Sequence, residues 1–267
     1  MSAVRASRAA PGPVALVGSG EFLPVMAPVD AALLAGRPQR AAYLPTAAAP
    51  EGEERFGYWA ELGRTHFEAM GVEPVLVPVR TRADAEDPAM ADLITGAGLV
   101  YLSGGDPHHL AATLRASATW QAVVDAWRAG AALAGCSAGA MALSAGAPPD
   151  LAPRGRQRRP GADPGGGLGV VGGLAVIPHF DQMERWRPGA VSWFARWQPP
   201  GTTLVGIDED TALVHDGGRW QVRGRQAVWL LDGGAEAPER HRRFGSGDEP
   251  ALRAPAASGI ASVGEAL

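Results

Sequence analysis

Short apolar runs alternate with longer amphipathic stretches through the first half of the chain. The runs end near Gly, Ser, Thr or Pro and predict five buried strands, at Val14–Val17, Ala41–Leu44, Pro74–Val79, Gly98–Leu102 and Ala131–Ala134. The stretches between them predict five helices, at Val29–Ala35, Glu53–Met70, Asp87–Thr95, Pro107–Ala116 and Thr119–Ala129. This alternation is typical of an α/β fold with an open, mostly parallel sheet flanked by helices on both faces. In such sheets ligands gather at the carboxyl ends of the strands.

The second half of the chain is less regular. The stretch Ala147–Gly173 is rich in Pro, Gly and Arg and predicts a mobile loop. Leu174–Ile177 and Thr203–Gly206 predict two further strands, and Ala212–Leu231 predicts a C-terminal β-hairpin with its turn at Gly217-Gly218. We therefore expect residues 1–13 to be a disordered lead-in, residues 14–232 to form a single α/β domain, and residues 233–267 to be a polar tail with room for one packed segment.

Composition narrows the expected partners and compartment. Of the 267 residues 46% are hydrophobic and 19% charged, and a formal net charge of -4 gives no reason to expect nucleic acid or an anionic membrane as a partner. No run approaches the roughly 18 apolar residues of a membrane span. The single cysteine, Cys136, excludes an internal disulfide and a cysteine-based metal cluster. These features together fit the reducing cytoplasm.

The fifth predicted strand leads into Gly135-Cys136-Ser137-Ala138-Gly139, and small helix-forming residues follow. A strand that turns sharply into a helix needs glycines where the backbone crowds itself, and the turn lifts one side chain clear of the sheet. Here that side chain is Ser137. The pattern predicts a nucleophile elbow, with the first N–H groups of the next helix directed at the point where negative charge develops.

A serine hydroxyl needs a neighbouring base before it becomes a good nucleophile. Among the six histidines, His179 is the candidate, because Pro178 follows a buried strand and presents it at a strand end. The reaction also needs hydrogen-bond donors for the developing oxyanion. We expect one from Ala138 and another from Gly104 or Gly105, in a turn that follows the fourth strand.

Five motifs in chain order carry a resemblance to a known family: Val17-Gly18-Ser19-Gly20-Glu21, Leu102-Ser103-Gly104-Gly105-Asp106, Gly135-Cys136-Ser137-Ala138-Gly139-Ala140, Pro178-His179-Phe180 and Gly206-Ile207-Asp208-Glu209-Asp210-Thr211-Ala212. The chain resembles the dipeptidase E and cyanophycinase family of serine peptidases, which have a class I glutamine amidotransferase-like (flavodoxin-like) fold. The resemblance covers roughly residues 14–232. It implies Ser137 as nucleophile, His179 as base, and Gly105 with Ala138 as the oxyanion hole.

The third member of the triad is less clear from the sequence. Family members place an acidic residue between the serine and the histidine, and that segment offers Asp150 and Asp163. Asp150 lies at the more family-like distance, so we expect it to orient His179, with Glu209 as a further possibility. For substrate contacts we expect Asp106, Glu209 and Arg185. Asp106 has the alternative role of a helix cap, which its position after the glycine turn also suits.

The resemblance implies hydrolysis of a small acidic or isopeptide-linked peptide through an acyl-enzyme. Cyanophycinases carry Asp-Gln before His-Phe where this chain has Ile177-Pro178, which favours the dipeptidase side. The arginines at 154, 156, 158 and 159 offer a carboxylate-binding cluster or a solvated loop. An impaired binding protein of the same fold and an esterase or acyltransferase are the alternative functions.

Cofactors, metals and assembly complete the expectations. Three adjacent acids at Asp208-Glu209-Asp210 point in different directions after a strand, so we expect no metal and no cofactor. A catalytic Cys136, as in glutamine amidotransferases, is disfavoured because the exposed apex of the elbow is its third residue. The expected partner is a peptide substrate, and a homodimer stays open.

Overall fold

A computed structural model of the protein describes residues 10–151, 166–232 and 240–255. Its larger sheet has seven strands, whose bounds are Val14–Val17 (β1), Arg40–Leu44 (β2), Glu73–Leu76 (β3), Leu99–Leu102 (β4), Ala132–Cys136 (β5), Thr211–Asp216 (β8) and Arg219–Gly224 (β9). The strand order is β3-β2-β4-β5-β1-β8-β9. The first five are parallel, whereas β8 runs antiparallel to β1 and β9 antiparallel to β8. This sheet confirms the predicted α/β fold.

A second sheet of four strands lies beside the first. Its strands are Leu174–Ile177 (β6), Thr203–Ile207 (β7), Ala227–Leu230 (β10) and Arg242–Gly245 (β11), in the order β11-β10-β7-β6. β6 and β7 are parallel, and the other neighbours are antiparallel. The predicted hairpin is therefore shorter than expected: β8 and β9 form it around Gly217 and Gly218, while β10 joins the second sheet. β11 is a packed strand within the residues assigned to the tail.

Nine α-helices occur among the described residues, at Ala27–Leu34 (α1), Glu53–Ala69 (α2), Arg82–Glu86 (α3), Pro88–Asp92 (α4), Pro107–Leu114 (α5), Ala118–Arg128 (α6), Ala138–Leu143 (α7), Phe180–Trp186 (α8) and Ala190–Trp197 (α9). The sequence missed α3. Its start is marked by a capping box, in which Thr81 and Asp84 each accept the other's backbone N–H. The helix predicted at 87–95 is shorter in the structure: Asp87 ends α3 and caps α4, and α4 ends at Asp92.

Alternate residues of the central strands enter different cores. In β1, Val14 and Leu16 pack with residues of α5 and α6 on one face, and Ala15 and Val17 pack with residues of α1 and α2 on the other. Both faces of a parallel strand are thereby buried, which explains the continuous apolar runs in the sequence. The second sheet shares the α5–α6 core through one face and packs α8 and α9 on the other.

The predicted mobile loop at 147–173 is wrong for its C-terminal end. Leu168, Val170 and Val171 are buried in the core, and the N–H of Val171 donates to the carbonyl oxygen of Leu143 at 2.8 Å. Because Pro, Gly and Arg dominate the composition of this stretch, the sequence analysis does not identify the short buried apolar segment at its C-terminal end. Residues 152–165, with the arginine cluster and Asp163, lie outside the described residues.

Within the three described ranges, no helix combines the length and the apolar character that crossing a bilayer requires.

Candidate active site

Ser137 lies at the end of β5, where the chain turns into α7. Its φ and ψ are 51° and -106°, a strained conformation for a residue with a side chain. The N–H of Ser137 donates to the carbonyl oxygen of Val17 at 2.9 Å, which anchors the turn to β1. The strain and the anchor fit the nucleophile elbow that the sequence predicts, and they leave the hydroxyl at the carboxyl edge of the large sheet.

His179 lies just beyond β6 and presents its ring to Ser137. Its backbone is left-handed, with φ 48° and ψ 40°, and its N–H contacts the carbonyl oxygen of Gly18 at 3.3 Å. The ring nitrogen Nε2 is 3.2 Å from Ser137 Oγ. The structure thus brings together the two side chains that the sequence analysis predicts as nucleophile and base.

The carboxylate beside His179 belongs to Glu209, in the turn after β7. Its Oε1 lies 2.8 Å from His179 Nδ1, so both ring nitrogens are engaged. No nitrogen remains for Asp150, and the prediction that Asp150 orients His179 is wrong. Glu209, which the sequence analysis gives as a further possibility for this acid, is the carboxylate at Nδ1, and its predicted contact with substrate stays a prediction. The missed signal is the parallel pairing of β6 with β7, which brings the ends of both strands to one edge.

Gly105 and Ala138 are the positions expected to donate to an oxyanion beside Ser137. Among the described residues no acceptor is found for the N–H of Gly105, and Ala138 is the first residue of α7, whose N–H has no helical acceptor. Gly105 has φ of 139°, and a Cβ there would lie 2.3 Å from the carbonyl oxygen of Ala47. Only glycine therefore fits this position.

Gly104, the other predicted oxyanion donor, is already used. Its N–H donates to Glu21 Oε1 at 2.9 Å, and the prediction that it is free for an oxyanion is wrong. A Cβ on Gly104 would lie 2.8 Å from Glu21 Oε1 and 3.4 Å from Ser137 Cβ. The glycine turn is therefore packed directly between Glu21 and the candidate nucleophile.

Glu21 is a site residue that the sequence analysis quoted in a motif and gave no role. It is 5% exposed, and its second oxygen, Oε2, lies 2.8 Å from Cys136 Sγ, which donates the thiol hydrogen. Burial first, and then the neighbouring Glu21, raise the pKa of the Cys136 thiol well above its usual range. Cys136 is therefore a buried thiol rather than a nucleophilic thiolate.

The remaining substrate-contact predictions concern Asp106 and Arg185. Asp106 Oδ1 accepts the backbone N–H groups of His108 and His109 at 2.9 and 3.0 Å, so it caps α5. Its alternative role as a helix cap is thus present, and its contact with substrate stays a prediction. Arg185 is exposed in the last turn of α8, and its contact with substrate likewise stays a prediction.

An aromatic ring also borders the base. Trp186 is 39% exposed, and its ring centroid lies 5.1 Å from that of His179. This contact packs an aromatic ring against the imidazole and restricts its movement. Across the described ranges, no three His, Cys, Asp or Glu side chains are grouped as metal ligands would be.

Solved structures with the same fold include two peptidases. A peptidase from an acI-B1 actinobacterium is 36% identical, with a TM-score of 0.78 over 91% of this chain and 97% of that one. A putative peptidase E protein from Listeria monocytogenes EGD-e is 16% identical, with a TM-score of 0.61 over 81% of this chain and 100% of that one. The second likeness concerns the fold alone.

The chain is also similar in sequence to known enzymes and to a peptidase family. Cyanophycinases from Synechococcus elongatus and Thermosynechococcus vestitus are each 31% identical over 172 residues, which is 62% of this chain. The chain spans about half of their length, 52% of each. Residues 15–223 match the model of peptidase family S51, and this match includes Ser137, His179 and Glu209. The motifs, the fold and this match agree, and the chain belongs to peptidase family S51.

Proposed function

We propose that the protein is a serine peptidase that acts through an acyl-enzyme on Ser137. The observation that carries the proposal is the continuous contact from Ser137 Oγ to His179 Nε2 at 3.2 Å and from His179 Nδ1 to Glu209 Oε1 at 2.8 Å. A hydroxyl, an imidazole and a carboxylate in this order form the constellation that activates a serine on several unrelated folds.

In the first step, Ser137 Oγ attacks the scissile carbonyl carbon while His179 Nε2 takes the hydroxyl proton. A carboxylate oxygen at Nδ1 favours the tautomer with hydrogen on Nδ1, so Nε2 is free to accept. The N–H groups of Gly105 and Ala138 donate to the oxyanion of the tetrahedral intermediate.

Collapse of that intermediate breaks the bond to the leaving amine, which receives the proton from His179 Nε2. Water then enters, and His179 removes its proton as the water oxygen attacks the acyl carbon. Breakdown of the second intermediate releases the carboxylic acid and returns the proton to Ser137 Oγ. Glu209 stays beside Nδ1 throughout and stabilises the imidazolium that forms in each half-reaction.

The proposed substrates are small peptides with an acidic or isopeptide-linked residue, cleaved in the manner of an aspartyl dipeptidase or of a cyanophycinase. Relatives named cyanophycinase support the isopeptide arm. The exposed Arg185, on the same helix that His179 begins, supports recognition of a carboxylate. The proposed location is the cytoplasm, where the single thiol of Cys136 stays reduced.

A catalytically impaired binding protein is the alternative from another class. The sequence supports this alternative because it offers no clear acid beside His179. In the structure Glu209 lies at that position. The geometry therefore favours hydrolysis over the alternative.

The test is turnover by the wild-type protein and Ser137→Ala on three panels: Asp-X dipeptides, β-aspartyl isopeptides with arginine, and simple esters. We expect peptide hydrolysis by the wild type and a loss of roughly 10⁴-fold or more in Ser137→Ala. A fluorophosphonate probe should label only the wild type. Hydrolysis confined to esters would replace peptidase by esterase. No turnover and no labelling by the folded wild type would favour a binding protein.

A further inference from the structure

Asp181 connects the helix that carries the base to the turn that carries the acid. It lies two residues after His179, in the first turn of α8, and its Oδ1 accepts the backbone N–H of Glu209 at 2.8 Å. Its Oδ2 accepts the side-chain amides of Gln182 at 3.0 Å and Gln226 at 3.3 Å. Three hydrogen-bond donors therefore meet at the Asp181 carboxylate, which is not one of the two groups bonded to the His179 ring nitrogens.

Gln226 holds the other side of the same turn. It lies in the bend between β9 and β10, and its N–H donates to Thr211 Oγ1 at 2.9 Å. The side-chain Nε2 donates to the carbonyl oxygen of Glu209 at 3.0 Å as well as to Asp181. Glu209 is therefore held at its N–H by Asp181 and at its C=O by Gln226 together with Thr211 Oγ1, which donates to the same oxygen at 3.0 Å.

The charge state of Asp181 suits this role. Partial burial acts to raise its pKa, but the N–H of Glu209 and the amides of Gln182 and Gln226 outweigh that effect and hold the pKa below its usual range. An ionised carboxylate can only accept hydrogen bonds, so every hydrogen bond to the Asp181 side chain comes from a donor group.

We infer that Asp181 and Gln226 are positioning residues that clamp the backbone of Glu209, so that its carboxylate meets His179 Nδ1. The inference rests on the proposed function, because it assigns the clamp to the proton relay of Ser137. His179 and Asp181 share the start of α8, so the same helix start carries the base and one half of the clamp.

Precision is the reason for a clamp at this place. The Glu209 side chain is 31% exposed and that of His179 is 24% exposed, so packing alone does not fix the carboxylate. Catalytic groups have to be held within about 0.5 Å of the productive geometry. A misplacement near 1 Å is enough to lower the rate by about 100-fold.

The experiment is a double-mutant cycle on peptide hydrolysis. Asp181→Ala and Gln226→Ala are each made in the wild type and in Glu209→Ala. In the wild type we expect kcat to fall by roughly 10- to 100-fold with KM changed by less than about 3-fold. In the Glu209→Ala background, where no acid remains to be positioned, we expect the same substitutions to change kcat by less than about 3-fold.

Two further variants keep the outcome interpretable. Asp181→Asn retains an oxygen for the N–H of Glu209 but turns an amide NH2 toward Gln182 and Gln226, so it should recover part of the activity lost in Asp181→Ala, even if the alanine variant folds poorly. Asp210→Asn is the matched control: it neighbours Glu209, removes the charge that pairs with the exposed Arg225, and should leave kcat unchanged. Thermal unfolding of every variant checks that the fold is intact.

The results separate the inference from the function on which it rests. Equal losses in the wild-type and Glu209→Ala backgrounds would assign Asp181 and Gln226 to general stability and overturn the clamp. Wild-type activity in Asp181→Ala and in Gln226→Ala would also overturn it. Full activity in Glu209→Ala itself would overturn both the clamp and the proposed proton relay but leave hydrolysis in place, whereas inactivity of the wild type would overturn the proposed function and with it the assignment of the clamp to that relay.

Discussion

The two halves of the candidate site are held by different kinds of interaction. Ser137, Gly105 and Ala138 come from the large sheet, and backbone contacts fix them: a strained turn, a β1 carbonyl oxygen and a glycine pressed on its neighbour. His179 and Glu209 come from the second sheet, where side-chain hydrogen bonds at the surface fix the acid. The nucleophile half is therefore specified by backbone geometry and the acid half by polar side chains.

One residue, Gly18, joins the halves. Its carbonyl oxygen accepts the N–H of His179 at 3.3 Å, and its own N–H donates to the carbonyl oxygen of Thr211 at 2.9 Å. A Cβ on Gly18 would lie 2.1 Å from the carbonyl oxygen of Asp208. The strand end of β1 and the turn of Glu209 thus approach more closely than any side chain permits.

The largest expected effect breaks the acid half. Glu209→Ala leaves His179 without an acceptor at Nδ1, so the imidazole loses both its preferred tautomer and the partner of its charged form. We expect kcat for peptide hydrolysis to fall by about 10⁴-fold, with a smaller change in KM. Steady-state kinetics on the best substrate of the panel measure both kcat and KM.

Two variants serve as controls for that prediction. Glu209→Gln keeps the shape and should be nearly as slow as Glu209→Ala, because an amide stabilises the imidazolium poorly. Asp150→Asn should retain wild-type kcat. A large loss in Asp150→Asn with normal activity in Glu209→Gln would return the orienting role to Asp150.

An intermediate effect is expected in the nucleophile half, from Glu21→Ala. The change leaves the N–H of Gly104 buried without its acceptor and costs about 1 to 3 kcal/mol of unfolding free energy. The turn of Gly104 and Gly105 also loses its tie to the elbow, so we expect kcat to fall by roughly 10- to 100-fold. Denaturant unfolding and steady-state kinetics measure the two quantities.

Glu21→Gln provides the comparison. It keeps an oxygen for the N–H of Gly104 and should preserve most of the stability and activity. If Glu21→Ala were as active as the wild type, the glycine turn would be held by the backbone alone. The contrast with the side-chain clamp on Glu209 would then become sharper.

The same contrast explains how much the sequence reveals. The five first strands and the elbow follow from local patterns, apolar runs and a G-x-S-x-G motif, and His179 follows from its place after a strand. Glu209 has no local signature: it approaches His179 only because β6 pairs with β7 in parallel, with Ile177 opposite Gly206. Strand neighbours are set by tertiary packing, so the sequence analysis favours Asp150, which lies between Ser137 and His179 at the distance that the family resemblance suggests.

Glu21 was missed for a related reason. Its motif was visible, but its partners, Gly104 and Cys136, lie more than eighty residues away and meet it only in the folded sheet. The buried anchor of Leu168, Val170 and Val171 was missed because Pro, Gly and Arg dominate the surrounding composition. In both cases the role of a short apolar or acidic segment depends on strands that are distant in the sequence.

The smallest expected effect tests the position next to the nucleophile. Cys136 is fully buried, and burial raises the pKa of its thiol, so the thiolate that a nucleophile requires is not formed near neutral pH. Cys136→Ala should change kcat by less than about 3-fold and lower the unfolding free energy by about 1 kcal/mol, for the lost packing and the lost hydrogen bond to Glu21.

Iodoacetamide treatment of the native wild type is the companion measurement for Cys136. We expect no alkylation and no inactivation near neutral pH, since the thiol is neither exposed nor ionised. Loss of more than about 100-fold in Cys136→Ala, with Ser137→Ala still active, would move the nucleophile one residue along the elbow. Because Cys136 points into the core beside Glu21 while Ser137 contacts His179, the same turn that buries one side chain presents the other to the base.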